Sequence, residues 1–271
     1  MKKTRLDLYL SQSGLSQTRE KAKREIMAGW VKVDGETVTD PARPVAGSER
    51  ITVSRPGGLY VSRGGQKLKS ALDRFGISLA GRTAADLGAS TGGFTDCMLK
   101  EGAAKVYAVD VGYGQLDYSL RTDGRVVVME KKNARSLRKE DFPDRVDFIA
   151  ADLSFISIVK VFDAVREAFA PVEGVLLVKP QFEAGPGEQK KGVVRDREAH
   201  RAILARVIAA LEEKGMVMKG LAHSPIRGPK GNIEFLLHFE CGTGAAPPFA
   251  SPEERDDFVR GAVDHAHESL A

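Results

Sequence analysis

Two lysines and two carboxylic acids lie at the ends of predicted helices and strands, where charged side chains can meet and do chemistry. One lysine opens a helix, an aspartate and a second lysine each end an apolar strand, and a glutamate begins the last strand. They are Lys67, Asp152, Lys179 and Glu234. Burial and nearby positive charge favour the neutral amine that a lysine needs to accept a proton. A lysine that ends a strand is more often a surface side chain, so both interpretations stay open at this point.

A glycine-rich turn at residues 86–94 (DLGASTGGF) follows a predicted strand. Glycine permits a tight turn and lets a ligand approach the backbone closely. A dinucleotide-binding dehydrogenase would show G-x-G-x-x-G, but serine stands at the second glycine position. A simple tight turn remains the alternative. The residues of this turn that we predict to contact a cofactor are Asp86, Gly88, Ser90, Gly92, Gly93 and Phe94.

An acid and an amide follow the next two strands. Asp110 lies 22 residues after Gly88, and an acid at about this spacing can accept hydrogen bonds from both hydroxyls of a ribose. Asn133, beyond the third strand, is placed to contact an adenine. Each could be an ordinary polar strand end. Together with the glycine turn they predict a nucleoside-containing cofactor, and a sulfonium and a nicotinamide compound would both fit.

From residue 82 onward, predicted strands alternate with predicted helices. The predicted strands are 83–87, 105–110, 125–130, 146–152, 175–179, 216–222 and 233–239, and the main helices are 92–100, 156–170 and 195–214. This alternation predicts a mostly parallel, doubly wound α/β sheet that binds ligands at the carboxyl ends of its strands. An antiparallel last strand would bring Glu234 to the same edge as Asp152 and Lys179.

The first part of the chain predicts a small basic α+β module. Residues 5–13 and 17–28 are predicted as helices, Ser16 is placed to cap the second, and Asp34-Gly35 marks a hairpin. Residues 1–80 hold 15 Lys/Arg against 8 Asp/Glu, whereas the whole chain has a net charge of only +4. A basic end on a slightly acidic body indicates a polyanionic partner, and a solvated basic helix face is the alternative.

The basic module resembles the small RNA-binding domain named after ribosomal small-subunit protein four. The resemblance rests on Arg5-Leu6-Asp7, Gly14-Leu15, Thr18-Arg19 and Val33-Asp34-Gly35. It implies that the helix pair and hairpin dock on structured RNA, mainly through phosphates. The residues implied for RNA binding are Arg5, Arg19, Lys21, Lys23 and Arg24. Pseudouridine synthases carry a catalytic Arg-Leu-Asp, but here the tripeptide falls in the first predicted helix and is interpreted as structural.

The rest of the chain resembles S-adenosylmethionine-dependent methyltransferases. The glycine turn has the D-x-G-x-x-x-G-G spacing of their first motif, and the two lysines and two acids match the tetrad of FtsJ-like ribose 2′-O-methyltransferases. Residues 110–116 (DVGYGQL) and 179–183 (KPQFE) extend the match, so the chain is identified as a member of the TlyA family of bacterial rRNA 2′-O-methyltransferases, often labelled haemolysin A.

The resemblance implies S-adenosylmethionine as the cofactor and no required metal. It implies Lys179 as the general base, Lys67 and Asp152 as orienting and electrostatic partners, and Glu234 as support for Lys67 or for the ribose. Asp152 would also contact the cofactor. Ribosomal RNA or an assembled ribosomal subunit would be the partner of a cytoplasmic, monomeric enzyme.

The domain boundaries follow from composition. Residues 1–58 form the RNA-binding domain and end in a hinge, 59–241 form a Rossmann-like methyltransferase domain, and 242–271 form a linker and a C-terminal helix. Two alternatives are a ribosome-associated factor with an inactive methyltransferase fold and a membrane-lytic haemolysin. The intact tetrad disfavours the first. The sequence shows no signal peptide and no apolar run near the ~20 residues of a membrane span, which disfavours the second.

Overall fold

The computed structural model describes residues 3–16, 18–27, 29–53, 59–246, 248–249 and 251–270. The chain divides into two compact units, Met1–Leu59 and Tyr60–Ala271. This division lies one residue from the boundary predicted at residue 58, and the predicted hinge at 55–58 lies outside the described residues. Within the described residues, no helix is both long enough and apolar enough to span a bilayer.

The N-terminal unit packs two helices against short antiparallel strands. Its elements are β1 (Thr4–Arg5), α1 (Leu6–Gln12), α2 (Arg19–Met27), β2 (Val31–Val33), β3 (Glu36–Val38), β4 (Pro44–Val45) and β5 (Ile51–Val53). Strand β2 lies between β3 and β5, and β1 pairs with β4. The predicted hairpin is confirmed: Asp34 and Gly35 join β2 to β3 with φ values of 52° and 88°. Leu6, Leu10 and Ile26 are fully buried between the layers.

The predicted start of the second helix was wrong by two residues. Helix α2 begins at Arg19, and Thr18, not Ser16, caps it by accepting a hydrogen bond from the Lys21 amide at 3.1 Å. Ser16 is buried and donates to Glu25 at 2.8 Å, so its hydroxyl is already used inside the unit. Arg5 also lies in a strand and not in the first helix. A capping hydroxyl satisfies helix N–H groups only from the position next to the helix, and here that residue is the threonine.

A buried carboxylate holds the N-terminal unit together. Asp7 is fully buried, and it accepts hydrogen bonds from Arg5 Nη2 at 3.0 Å and from Arg19 Nε at 3.2 Å. The Arg5 guanidinium, followed by that of Arg19, holds the pKa of the Asp7 carboxyl below its ordinary value. One acid therefore ties β1 and α1 to α2, and both guanidiniums stay about half exposed.

We predict that Asp7→Asn destabilises the N-terminal unit by about 1–2 kcal/mol, because the three charge-assisted hydrogen bonds from Arg5 and Arg19 weaken while water screens the half-exposed guanidiniums. The lowered pKa in the folded state means that the wild-type contribution is present above the unfolded pKa of about 4 and disappears as the pH falls below it. Urea unfolding at pH 7 and pH 3 measures both effects. A variant that unfolds like the wild type at pH 7 would contradict this role.

The second unit is a three-layer α/β/α sandwich around seven strands. The strands are β6 (Thr83–Leu87), β7 (Lys105–Val109), β8 (Val126–Met129), β9 (Phe148–Ala151), β10 (Val172–Val178), β11 (Met216–His223) and β12 (Phe235–Cys241). The helices are α3 (Gly64–Phe75), α4 (Gly93–Lys100), α5 (Tyr118–Arg121), α6 (Val159–Phe169), α7 (Pro180–Glu183), α8 (Arg197–Glu213) and α9 (Pro252–Ser269). The α/β prediction is confirmed, with boundaries that differ by a few residues.

The strand order is β11-β12-β10-β9-β6-β7-β8, and all neighbours are parallel except β12, which is antiparallel to β10 and β11. Neighbouring residues of a strand face opposite layers. Ile149 and Phe235 pack with α6 and α8, whereas Phe148 and Leu236 pack with α3 and α4. Both faces of the sheet are therefore covered, as the long apolar strands predict.

The C-terminal helix belongs to this sandwich, although residues 242–271 were predicted as a separate segment. Ser251 caps α9 by accepting a hydrogen bond from the Glu254 amide at 3.3 Å. The helix packs on α8 and β11 and buries Val259, Val263 and Ala266 in the same core cluster as the sheet. Its apolar stripe at spacings of three and four explains the contact.

Candidate active site

The four charged residues predicted to act together form one connected group. Lys179 Nζ lies 2.5 Å from Asp152 Oδ1, and Lys67 Nζ lies 3.9 Å from Asp152 Oδ2. Lys67 Nζ also donates to Glu234 Oε2 at 2.6 Å. The charges therefore alternate along the chain of contacts, which lets four ionisable side chains share a small volume.

The sheet topology explains this meeting. Asp152 follows the end of β9 and Lys179 follows the end of its parallel neighbour β10. Val178 at the end of β10 is opposite Phe235 at the start of antiparallel β12, so the next pair of positions is Lys179 and Glu234. Lys67 comes from α3, which packs on the sheet from one side. The predicted antiparallel last strand is thus confirmed, and it brings Glu234 to the site.

The group is shielded from water. Glu234 is fully buried, and the side chains of Lys67 and Lys179 are only 10% and 8% exposed. Asp152, at 21%, is the most open member. Ion pairs in such a setting are weakly screened, so removing one charge leaves its partner uncompensated.

Ser154 is part of the site and was not assigned a role from the sequence. Its hydroxyl accepts a hydrogen bond from Lys179 Nζ at 3.0 Å. It is two residues after Asp152, so the same strand end supplies both partners of the lysine. The only sequence signal was its place in the short segment after the fourth strand, which does not distinguish a partner of the lysine from an ordinary loop serine.

A cavity of about 480 Å³ opens beside the tetrad, a volume typical of sites for small molecules and cofactors. It lies at the carboxyl ends of β6, β7 and β9, as expected for this class of sheet. Of the predicted site residues, those that line it are Gly88, Ser90, Asp110, Asn133 and Asp152. Since Asp152 belongs to both cavity and tetrad, a ligand in the cavity would lie next to the Lys179 amine.

The carboxylate of Asp110 is held in a fixed orientation. Its two oxygens accept hydrogen bonds from the Ser90 amide at 2.8 Å and from the Gly112 amide at 2.6 Å. Each carboxylate oxygen has a second acceptor site. Asp110 can therefore hold the glycine turn and still accept hydrogen bonds from a ribose.

Gly88 allows two strand ends to approach each other. Its φ is +88°, and a Cβ there would lie 2.6 Å from the carbonyl oxygen of Asp152. Any other residue would push the glycine turn away from the acid that links cavity and tetrad. Glycine is needed here for backbone packing as well as for access to the cavity.

Four of the predicted cofactor residues lie behind the cavity and do not line it: Asp86, Gly92, Gly93 and Phe94. A Cβ on Gly93 would lie 2.2 Å from Ser62 Oγ, and one on Gly92 would lie 2.3 Å from a methyl group of Leu120. The two glycines therefore let neighbouring segments pack closely, and Phe94 is buried in the core.

Asp86 joins β6 to α4. It is fully buried and accepts hydrogen bonds from the amide and the hydroxyl of Thr95, at 2.8 and 2.6 Å. Burial raises the pKa of Asp86 to about 7, against the opposing effect of the two hydrogen bonds from Thr95. Asn133 combines two tasks, because it lines the cavity while its side-chain oxygen accepts a hydrogen bond from the Arg135 amide at 2.9 Å.

The residues predicted to bind RNA lie in the N-terminal unit. Arg5 and Arg19 are fixed by Asp7 with about half of each side chain exposed. Lys21, Lys23 and Arg24 lie on α2, and Lys23 also contacts Glu20 at 2.6 Å. The buried acid orients the two arginines without neutralising the whole basic surface of the helix.

We predict that Asp110→Ala weakens the binding of S-adenosylmethionine at least tenfold with little change in Tm, because the ribose loses its acceptor and the Ser90 and Gly112 amides lose theirs. Isothermal calorimetry measures the affinity. Asp123→Ala is the matched control, since Asp123 pairs with Arg125 outside the cavity. Equal affinities of the Asp110 variant and this control would remove Asp110 from the site.

Comparison with known proteins agrees with both units. Residues 60–241 match the FtsJ-like methyltransferase family and residues 4–51 match the S4 domain. The chain is 44% identical over 265 residues to a Mycobacterium tuberculosis protein named 16S/23S rRNA (cytidine-2′-O)-methyltransferase TlyA, covering 97% of this chain and 98% of that protein. It is 45% identical over 238 residues to Hemolysin A of Brachyspira hyodysenteriae, covering 87% and 99%.

The fold agrees as well. A solved Streptococcus thermophilus structure that bears a hemolysin name superimposes with a TM-score of 0.77 at 40% identity, over 100% of this chain and 98% of that one. The assembled tetrad, the cavity at the strand ends and the two matched domains all lead to the same assignment. The chain belongs to the TlyA family of FtsJ-like methyltransferases, which use S-adenosylmethionine.

Proposed function

We propose that the protein transfers a methyl group from S-adenosylmethionine to a ribose 2′-hydroxyl of ribosomal RNA. The observation that carries the proposal is the placement of the Lys179 amine, which is held by Asp152 and Ser154, two residues that line the cavity. The S4 domain and the names of the relatives support RNA as the substrate. Action on ribosomal RNA would place the protein in the cytoplasm, and the monomeric state remains a prediction.

The cavity residues fit the cofactor. Asp110 offers free acceptor sites on an oriented carboxylate, Asn133 lies at the rim, and Gly88 and Ser90 expose backbone. When bound, S-adenosylmethionine supplies an electrophilic methyl group on a positively charged sulfur. The residues that would hold it are Gly88, Ser90, Asp110, Asn133 and Asp152, and the last of these also contacts Lys179.

A ribose hydroxyl is a poor nucleophile near neutral pH and needs a base as well as in-line aim at the methyl carbon. Lys179 Nζ would accept the hydroxyl proton as the oxygen forms its bond to the methyl carbon. The bond between that carbon and sulfur breaks, and its electrons remain on the sulfur. The products are a methyl ether, a neutral thioether and a protonated Lys179, so charge is conserved.

The neighbours of Lys179 hold its amine in place. Asp152 contacts the amine at 2.5 Å, and its other carboxylate oxygen lies 3.9 Å from Lys67 Nζ. Glu234 fixes Lys67 at 2.6 Å and keeps that ammonium beside Asp152. The Lys179 amine therefore keeps one position relative to Asp152, which lines the cavity.

The reaction is tested with ribosomal subunits from cells that lack the protein and with isotopically labelled S-adenosylmethionine. Nucleoside mass spectrometry after enzymatic digestion is expected to show a labelled 2′-O-methylnucleoside in the ribosomal RNA. The proposal would be contradicted if the labelled methyl group were found on a base, or if the wild-type protein transferred no label to the RNA. The second result would favour the alternative of a ribosome-associated factor without activity.

We predict that Lys179→Ala lowers the rate of methyl transfer by about 10²–10⁴-fold and leaves the affinities for S-adenosylmethionine and RNA near the wild-type values, because only a base is lost. Lys179→Arg is not expected to restore the rate, since a guanidinium does not release its proton near neutral pH. Single-turnover transfer across a range of pH measures this. Wild-type rates in the arginine variant would show that Lys179 acts only as a fixed positive charge.

We predict that replacing Lys21, Lys23 and Arg24 by alanine weakens RNA binding and flattens its salt dependence, by about 0.7–0.9 in the slope of log K against log salt for each lost phosphate contact. Arg19 is left intact because it anchors Asp7.

The control removes three cations from the amino-end edge of the methyltransferase sheet and combines Lys105→Ala, Arg145→Ala and Lys214→Ala. We call it the amino-edge variant. Its residues form surface ion pairs with Asp144, Asp147 and Asp163. If the α2 variant and the amino-edge variant showed the same salt slope, the basic helix would be only a solvated face.

A further inference from the structure

Two turns that each place a lysine and then a glycine at positive φ are joined to each other, and the second lies close to Glu234 in the chain. In the first, Lys191 and Gly192 have φ values of 53° and 79°, and Lys190 and Val193 exchange both backbone hydrogen bonds, at 3.0 and 3.1 Å. In the second, Lys230 and Gly231 have φ values of 58° and 82°. Each turn therefore places a lysine and then a glycine in the left-handed region.

A buried asparagine fastens the two turns to each other. Asn232 is 2% exposed; its side-chain nitrogen donates to the Gly192 carbonyl at 3.0 Å and its oxygen accepts from the Val194 amide at 3.2 Å. Lys230 Nζ also lies 3.4 Å from the Lys191 carbonyl oxygen. The turns thus form one surface, which we call the lysine lip and define as Lys190, Lys191 and Lys230.

The lysine lip is adjacent to the tetrad. Glu234 comes two residues after Asn232, which follows the second turn. The start of that turn is also close to Glu234 in space, because a Cβ on Gly228 would lie only 2.1 Å from Glu234 Oε1. The first turn of the lip is reached from Lys179 through the short helix α7. Both turns therefore extend from the segments that carry two of the four tetrad residues.

The lip carries unneutralised positive charge. All three lysines are exposed, and none has a carboxylate partner among the described residues. Two acids lie in the first loop: Glu188 pairs with Arg206 at 2.8 Å, and Asp196 caps α8 by accepting a hydrogen bond from the Ala199 amide at 2.8 Å. Arg195 and Arg227 are exposed in the same two loops and add to the positive electrostatic potential of this surface. A concentration of exposed cations beside a buried site attracts and holds polyanions.

The backbone of both turns is unfavourable for lysine. The two-residue turn at Lys191-Gly192 has positive φ at both positions, a form that prefers Asn-Gly, Asp-Gly or Gly-Gly. Lys230 in the second turn also lies in the left-handed region, which among non-glycine residues favours Asn and Asp. An L-residue with a long side chain adopts this conformation only at a cost, and such costs concentrate at functional sites. The repeated Lys-Gly pair indicates that the side-chain charge, not the turn geometry, accounts for lysine at these positions.

We propose that the lysine lip binds backbone phosphates of the RNA on either side of the ribose that is methylated. The inference rests on the proposed function, and it adds a surface in the methyltransferase unit that holds the target strand at the tetrad. Phosphate contacts position a nucleic acid without reading its sequence. The lip would therefore contribute to affinity and alignment, and base identity would be recognised elsewhere.

The test uses the full-length protein and combines Lys190→Gln, Lys191→Asn and Lys230→Asn. Asparagine before glycine is favoured in this turn, so the variant removes three charges while keeping the backbone form. We expect an unchanged Tm, unchanged affinity for S-adenosylmethionine and a roughly tenfold lower affinity for ribosomal RNA. The slope of log K against log salt should fall by about 0.7–0.9 for each lost contact. The KM for RNA should rise more than kcat falls.

Two controls separate charge from structure. The Lys→Arg variant at the same three positions keeps the charge and should bind RNA like the wild type. The amino-edge variant removes three cations elsewhere and should also retain the wild-type slope. The proposal would be overturned if the variant with the three neutral substitutions had the same slope of log K against log salt as the amino-edge variant. It would also be overturned if the three neutral substitutions lowered the affinity for S-adenosylmethionine.

The outcomes distinguish this inference from the proposed function. Wild-type protein that methylates ribosomal RNA, together with a neutral lip variant that binds RNA equally well, would refute the lip alone. Wild-type protein that neither binds nor methylates ribosomal RNA would refute both.

Discussion

The architecture of the active site depends on one shared carboxylate. Asp152 places one oxygen 2.5 Å from Lys179 and the other 3.9 Å from Lys67, so it keeps two ammonium groups apart and in place. It also lines the cavity. Without this acid the two lysines would repel each other in a poorly hydrated space, and the cavity would lose its connection to the amines.

Much of the surrounding structure keeps Asp152 where it is. Parallel pairing of β9 with β6 and β10 brings three strand ends together, and the missing side chain of Gly88 lets the glycine turn approach the Asp152 carbonyl. Lys67 arrives from α3, whose first turn packs closely against Gly93 of α4. Residues outside the tetrad therefore determine the distances on which proton transfer depends.

The sequence was most informative where one physical rule decides the outcome. Alternating strands and helices imply a parallel sheet, and strand ends in such a sheet share an edge, so the meeting of Asp152, Lys179 and Glu234 could be predicted. The hairpin at Asp34-Gly35 followed equally simply from backbone preference.

Side-chain partners could not be predicted in this way. Ser154 as a partner of Lys179, and Gly92 as a packing position, depend on tertiary contacts that no local pattern encodes. Thr18 and Ser16 are both good capping residues, and the buried bond of Ser16 to Glu25 decided between them.

The link between Lys67 and Glu234 joins residues that are 167 positions apart in the chain. During synthesis, the first half of the methyltransferase sheet and its cavity can form while β12 is still absent, because β6, β7 and β9 pair with one another. The tetrad cannot form at that stage, because Glu234 immediately precedes the last strand, β12. A nascent chain would therefore lack an assembled tetrad until almost its full length has been synthesised.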